Sequence, residues 1–219
     1  MSVDPIRAVI EAESRALGPT LHTGMATSLL AADGHMGRLR HTKYPHMLPM
    51  RLRCELREFL EEEGLPAGWR TGGDPRLMAQ LFLSNDDLGL KLRVLKERRR
   101  TYPGGVPVAG RNAARREQWI AEPLPLELPL AVVKQQRKGP IPLLLLWDFA
   151  GEDLTSFSLR IVHTLEAGVY GKRVALDLNL EVQTGGTIFD RLAFRGSPED
   201  DDLFGYSAEL DEGEEGLGG

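Results

Sequence analysis

The 219-residue chain carries 32 acidic against 27 basic side chains, a net charge of −5, with 42% hydrophobic residues. That balance is ordinary for a soluble globule, and a chain this long buries about 70% of its unfolded surface without staples. A single cysteine, Cys54, excludes an internal disulfide and a multi-cysteine zinc site, and suits a reducing cytoplasm. No apolar run reaches the roughly 18 residues of a membrane span, and the opening Met1-Ser2-Val3-Asp4-Pro5 is no signal peptide. A cytoplasmic protein without membrane contact is expected.

In chain order, Asp4-Pro5 is a cap and first-turn pair for a helix through Ile6, Val9, Ile10 and Leu17, ended by Gly18-Pro19. A second helix is predicted over 20–32, with Leu21, Met25, Leu29 and Leu30 on one side. Residues 34–49 are irregular and hold His35, His41 and His46. With Cys54 these are the obvious metal suspects, but their spacings fit no zinc template, so no metal site is assigned. A third helix covers 48–63, where Leu48, Leu52, Leu56, Phe59 and Leu60 form a stripe and Gly64 supplies the stop.

Residues 64–73 form a loop around Trp69, and Asp74-Pro75 opens a short helix through Leu77, Met78, Leu81 and Phe82. Asn85, Asp86 and Asp87 then cap a basic helix that runs to Arg100 and stops at Tyr102-Pro103-Gly104-Gly105. Its stripe is Leu88, Leu92, Val94 and Leu95, although Leu88, Leu90, Leu92 and Val94 also alternate as a strand would. The two helices have the outline of a helix-turn-helix, without its turn glycine because position 83 is leucine. A further short helix, 111–120, buries Trp119 and Ile120.

Between Lys91 and Arg116 stand nine cations, Lys91, Arg93, Lys96, Arg98, Arg99, Arg100, Arg111, Arg115 and Arg116, against one carboxylate. Such a cluster attracts polyanions, while solvated helix faces account for the same letters. Residues 197–219 are its counterpart, with nine carboxylates and no basic residue, and are read as a disordered tail.

The Pro-rich stretch 122–142 excludes a long helix and is read as a linker between a mainly helical region, 1–121, and a β region, 143–196. Strands are predicted over 143–149, 155–166, 172–183 and 187–195, antiparallel because their connections are short. Helices first and strands after give an α+β fold: an N-terminal helical half, a small antiparallel sheet and the acidic tail.

Asp177, Asn179 and Glu181 share one face of a predicted strand, and Asp148 ends the neighbouring one. Asp148, Asp177 and Glu181 could hold a divalent cation for phosphodiester hydrolysis, whereas the polar face of a half-exposed strand explains them equally. His163 falls inside a strand, where a satisfied or exposed histidine is the plainer reading. No G-x-S-x-G, G-x-x-x-x-G-K-[ST] or G-x-G-x-x-G occurs, so neither covalent serine chemistry nor nucleotide-cofactor binding is implied. The leading expectation is a non-enzymatic binding or regulatory protein for nucleic acid or an acidic protein, with no cofactor. A metal-dependent nuclease or phosphoesterase, and an assembly subunit of a protein complex, are the alternatives.

Overall fold

A computed structural model describes residues 4–36, 43, 44, 46–109, 116, 119–124, 128–150 and 156–185. Asp4 caps the first helix, its Oδ1 accepting from the backbone N–H of Ile6 (3.1 Å) and Arg7 (3.2 Å). That helix, α1 (Pro5–Met36), does not stop at Gly18-Pro19; the two helices expected there are one. The buried positions Ile6, Ile10, Leu17, Leu21, Met25, Leu29, Ala32 and Met36 keep one phase across the proline. Continuous burial of that stripe offsets an interior proline penalty of about 3 kcal/mol. Gly18 has a packing role of its own, since a Cβ there would lie 2.3 Å from the carbonyl oxygen of Gln183.

α2 (Met47–Glu63) matches its expected stripe, burying Leu48, Leu52, Leu56 and Leu60. Gly64 ends it at φ +84°, its N–H reaching the Leu60 carbonyl at 3.2 Å. Gly24 of α1 faces Phe59 and Leu56 of α2, where a Cβ would approach the Phe59 ring to 2.8 Å. A glycine here lets the two helix backbones come close.

Among the described residues six strands follow: β1 (Trp69–Gly72), β2 (Phe82–Asn85), β3 (Leu90–Lys96), β4 (Ile141–Phe149), β5 (Phe157–Thr164) and β6 (Leu176–Glu181). They lie in sequence order in one sheet, antiparallel throughout except for the parallel pair β3–β4. A parallel neighbour requires a crossover, and the crossover from β3 to β4 carries the short helix α3 (Leu130–Gln136). The stretch read as a linker, 122–142, therefore joins two paired strands of one sheet. The region 1–121 contains three of its strands besides the long helices. The strands expected over 143–149, 155–166 and 172–183 are β4, β5 and β6, while 187–195 and the acidic tail lie outside the described residues.

Two expected helices do not form. Where 86–100 reads as a basic helix, the chain makes a β2–β3 hairpin and then β3. Asn85 Oδ1 accepts from Leu88 N–H (3.0 Å), and Gly89 takes φ +63°, so the expected cap residue and Gly89 belong to the hairpin's turn. Leu90, Leu92 and Val94 are buried and alternate with partly exposed neighbours, the strand period. The helix expected from Asp74-Pro75 is a single turn, broken where Met78 and Ala79 adopt positive φ, and Phe82 begins β2. No helix-turn-helix pair forms.

One sheet face, carrying Leu90, Leu92, Val94, Leu143, Leu145, Trp147, Leu159 and Ile161, belongs to the same apolar core as α1 and α2. The opposite face carries Leu144, Leu146 and Val162 and is covered by Val106, Ala109 and Trp119 of the crossover, with Val174. No helix among the described residues is long and apolar enough to cross a membrane.

Candidate polyanion-binding site

Beyond Lys96 the chain leaves the sheet, although Glu97 N–H still donates to the Trp147 carbonyl at 2.8 Å. Residues 98–105 then fold back in a tight loop. Arg98 N–H donates to Gly105 O at 2.9 Å, and Tyr102 N–H to Arg98 O at 2.8 Å. Gly104 and Gly105 turn the chain at φ +78° and +77°. At Gly105 a Cβ would meet Glu97 Oε2 at 2.3 Å, so glycine leaves the space that the Glu97 carboxylate fills beneath the loop.

Glu97 is buried, yet both of its oxygens are matched. Oε2 accepts from Arg99 Nε at 2.6 Å, and Oε1 accepts from Arg160 Nε on β5. The rest of the Arg160 guanidinium reaches Gly104 O at 2.5 Å and Asn179 Oδ1 at 3.2 Å. Glu97 thus ties the loop to two strands. Its hydrogen bond, outweighing desolvation, raises the Arg99 pKa further above its ordinary value, so that guanidinium stays charged. Asp148 pairs with Lys96 Nζ and lies 3.7 Å from Arg99. Lys96 also sits over the rings of Trp147 (4.5 Å) and Phe149 (4.6 Å).

The β5–β6 connection approaches the same loop. A Cβ on Gly104 would lie 3.0 Å from Arg173 Nε, and Tyr170 meets Tyr102 edge-on with ring centroids 5.6 Å apart. Arg98, Arg100, Lys172 and Arg173 are all exposed. Lys96, Arg99 and Arg160 are paired with Glu97 and Asp148 beneath them, and Arg98 and Arg100 belong to the loop that Arg173 touches.

The nine cations expected from sequence are thereby sorted. Arg98, Arg99 and Arg100 fall in the loop; Lys96 is committed to Asp148. Lys91 and Arg93 lie on the sheet over the Phe82 ring, at 4.3 and 5.5 Å, with Arg93 also 5.7 Å from the Trp119 ring. Arg116 is exposed, and Arg111 and Arg115 lie outside the described residues. Lys172, Arg173 and Tyr170 were not singled out by sequence reasoning. The run V-Y-G-K-R between two alternating segments was the available signal.

The carboxylates Asp148, Asp177 and Glu181 are not brought together. Asp148 and Glu181 lie on the strands either side of β5, opposite Ser158 and Arg160 respectively. Asp177 sits at the other end of β6, four residues or roughly 13 Å along the strand. There it accepts from Leu124 N–H (2.7 Å) and pairs with His163 Nδ1 (2.6 Å), at an irregularity in the β5–β6 register. Among the described residues no three His, Cys, Asp or Glu side chains are placed to share a metal ion. His35 is engaged with Glu55 and Arg51 at the surface, His41 lies outside the described residues, and Cys54 is half-buried.

His163 is fully buried, and among the described residues its Nε2 has no hydrogen-bond partner. Desolvation lowers its pKa below the ordinary 6.5, against the opposing pull of the Asp177 hydrogen bond. The unfolded chain therefore takes up this proton at a higher pH than the folded one. Stability from this group falls as pH drops from about 6.5 towards the lower folded pKa. Urea unfolding at pH 7.5 and 5.5 is expected to show a smaller loss at low pH for His163→Asn than for the wild type.

No family model, curated protein or solved structure matches the chain.

Proposed function

We propose that this is a non-enzymatic binding protein that engages a polyanion, nucleic acid or an acidic protein surface, through the loops at residues 97–105 and 168–173. The observation that supports it is that Arg173 lies against Gly104, in a glycine turn fixed from below by Glu97 and Arg160, so that the two loops carrying exposed Arg98 and Arg100 and exposed Lys172 and Arg173 adjoin. Cations on a rigid base bind anions with less ordering cost than cations on a flexible arm. The buried ion pairs serve the scaffold, and the exposed cations serve the ligand. A cytoplasmic location suits the lone cysteine.

Residues 197–219, with nine carboxylates, act on this reading as a tethered competitor for the same cations. The test is titration of a labelled DNA oligonucleotide at several salt concentrations, with the full chain and with a chain lacking 197–219. Tighter binding by the shortened chain is expected, with affinity falling as salt rises in both. No gain on shortening would remove the competition, and binding indifferent to salt would remove the ionic basis.

A further inference from the structure

The loop beside the arginines ends in an exposed aromatic side chain. Val169 and Tyr170 are 61% and 75% exposed, between Gly168 and Gly171, both at φ +74°. Lys172 N–H closes the turn on Val169 O at 3.0 Å. The base of the loop is seated firmly, for a Cβ on Gly168 would lie 2.7 Å from Val174 and 2.9 Å from Val108. Tyr170 is braced by the near-perpendicular ring of buried Tyr102, at an interplanar angle of 79°. Three-quarters exposed, it still offers ring surface to solvent.

We infer that the ligand is single-stranded nucleic acid, with Tyr170 stacking on an unpaired base while Lys172, Arg173, Arg98 and Arg100 hold the adjoining phosphates; this rests on the polyanion reading above. Cations alone bind any polyanion, so the discriminating feature is the ring. A duplex keeps its base faces stacked inside and shows only their edges in the grooves. An unpaired strand exposes the faces, and base–aromatic stacking with a cationic track is the common means of holding it without reading sequence. The carboxylates of an acidic protein surface offer the ring no regular series of flat faces like that of an unpaired strand.

Fluorescence anisotropy with a labelled oligothymidine strand, a duplex of equal length and polyglutamate tests this at one salt concentration and along a salt series. The strand is expected to bind at least about tenfold tighter than the duplex or polyglutamate. Tyr170→Ala should weaken strand binding about 5- to 100-fold, leaving the salt slope and duplex binding unchanged, and Tyr170→Phe should retain affinity. Equal affinity for strand and duplex, equal or tighter binding of polyglutamate, or an unaffected Tyr170→Ala would overturn the stacking inference while leaving a polyanion site standing. Absence of salt-dependent binding to all three probes would overturn the polyanion reading, and this inference with it.

Discussion

Replacing Glu97 with glutamine is expected to cost about 3–5 kcal/mol of folding stability. Glu97 is buried between two guanidiniums, and the Arg160 side chain is only 16% exposed. A neutral amide offers one acceptor and turns its NH2 towards the other arginine, a donor facing a donor. Arg160 then keeps its burial and loses its counter-charge, which costs more than the intact pair contributes. Urea denaturation measures the loss. Joint replacement, Glu97→Leu with Arg160→Met, should recover most of it, because an apolar pair needs no compensation. Equal losses in the single and double variants would show that the pair is not what secures the loop.

Trp119→Ala is expected to be of similar size, about 3–5 kcal/mol. Trp119 is fully buried on the sheet face opposite the long helices, where it packs in one cluster with Leu144, Leu146 and Val162. Its Nε1–H donates to Pro107 O at 2.7 Å, and its own carbonyl accepts from Thr164 Oγ1 at 2.7 Å. Truncation removes the ring and one of those bonds, leaving Pro107 O without that donor. The crossover it fastens also carries residues 97–105, so weaker polyanion binding should accompany the lost stability. Binding unchanged in a destabilised Trp119→Ala protein would separate the loop from this anchor.

The sequence made some of this fold plain. The four-residue repeat of Leu48, Leu52, Leu56 and Leu60 has one interpretation, and α2 follows it. The alternation of 157–164 and 176–181 likewise marks β5 and β6. β3 was harder because Asn85, Asp86 and Asp87 are both capping and turn residues, and only the partner strand decides between them. β4 decides, lying parallel to β3 from Leu90↔Ile141 to Lys96↔Trp147. β1 and β2, four residues each, are too short to show a period.

Of the site, the cationic letters were legible and their arrangement was not. Glu97 stands in an arginine run and looks incidental there. Its importance comes from Arg160, 63 residues away, placed beside it by sheet pairing. The basic stretch expected on two helices is instead divided, among the described residues, between β3 and the crossover that follows it. The exposed share of it is joined by Lys172 and Arg173, which lie far along the chain.

The most direct measurement is the slope of log affinity against log salt for a DNA oligonucleotide. It is compared between the wild type and the variant Arg98→Ala/Arg100→Ala/Lys172→Ala/Arg173→Ala. Each phosphate contact contributes about −0.7 to the slope for a single strand. The variant's slope is expected to be shallower by about 2–3, with affinity down at least tenfold and unfolding unchanged. Identical slopes in the two proteins would contradict a binding surface on these loops.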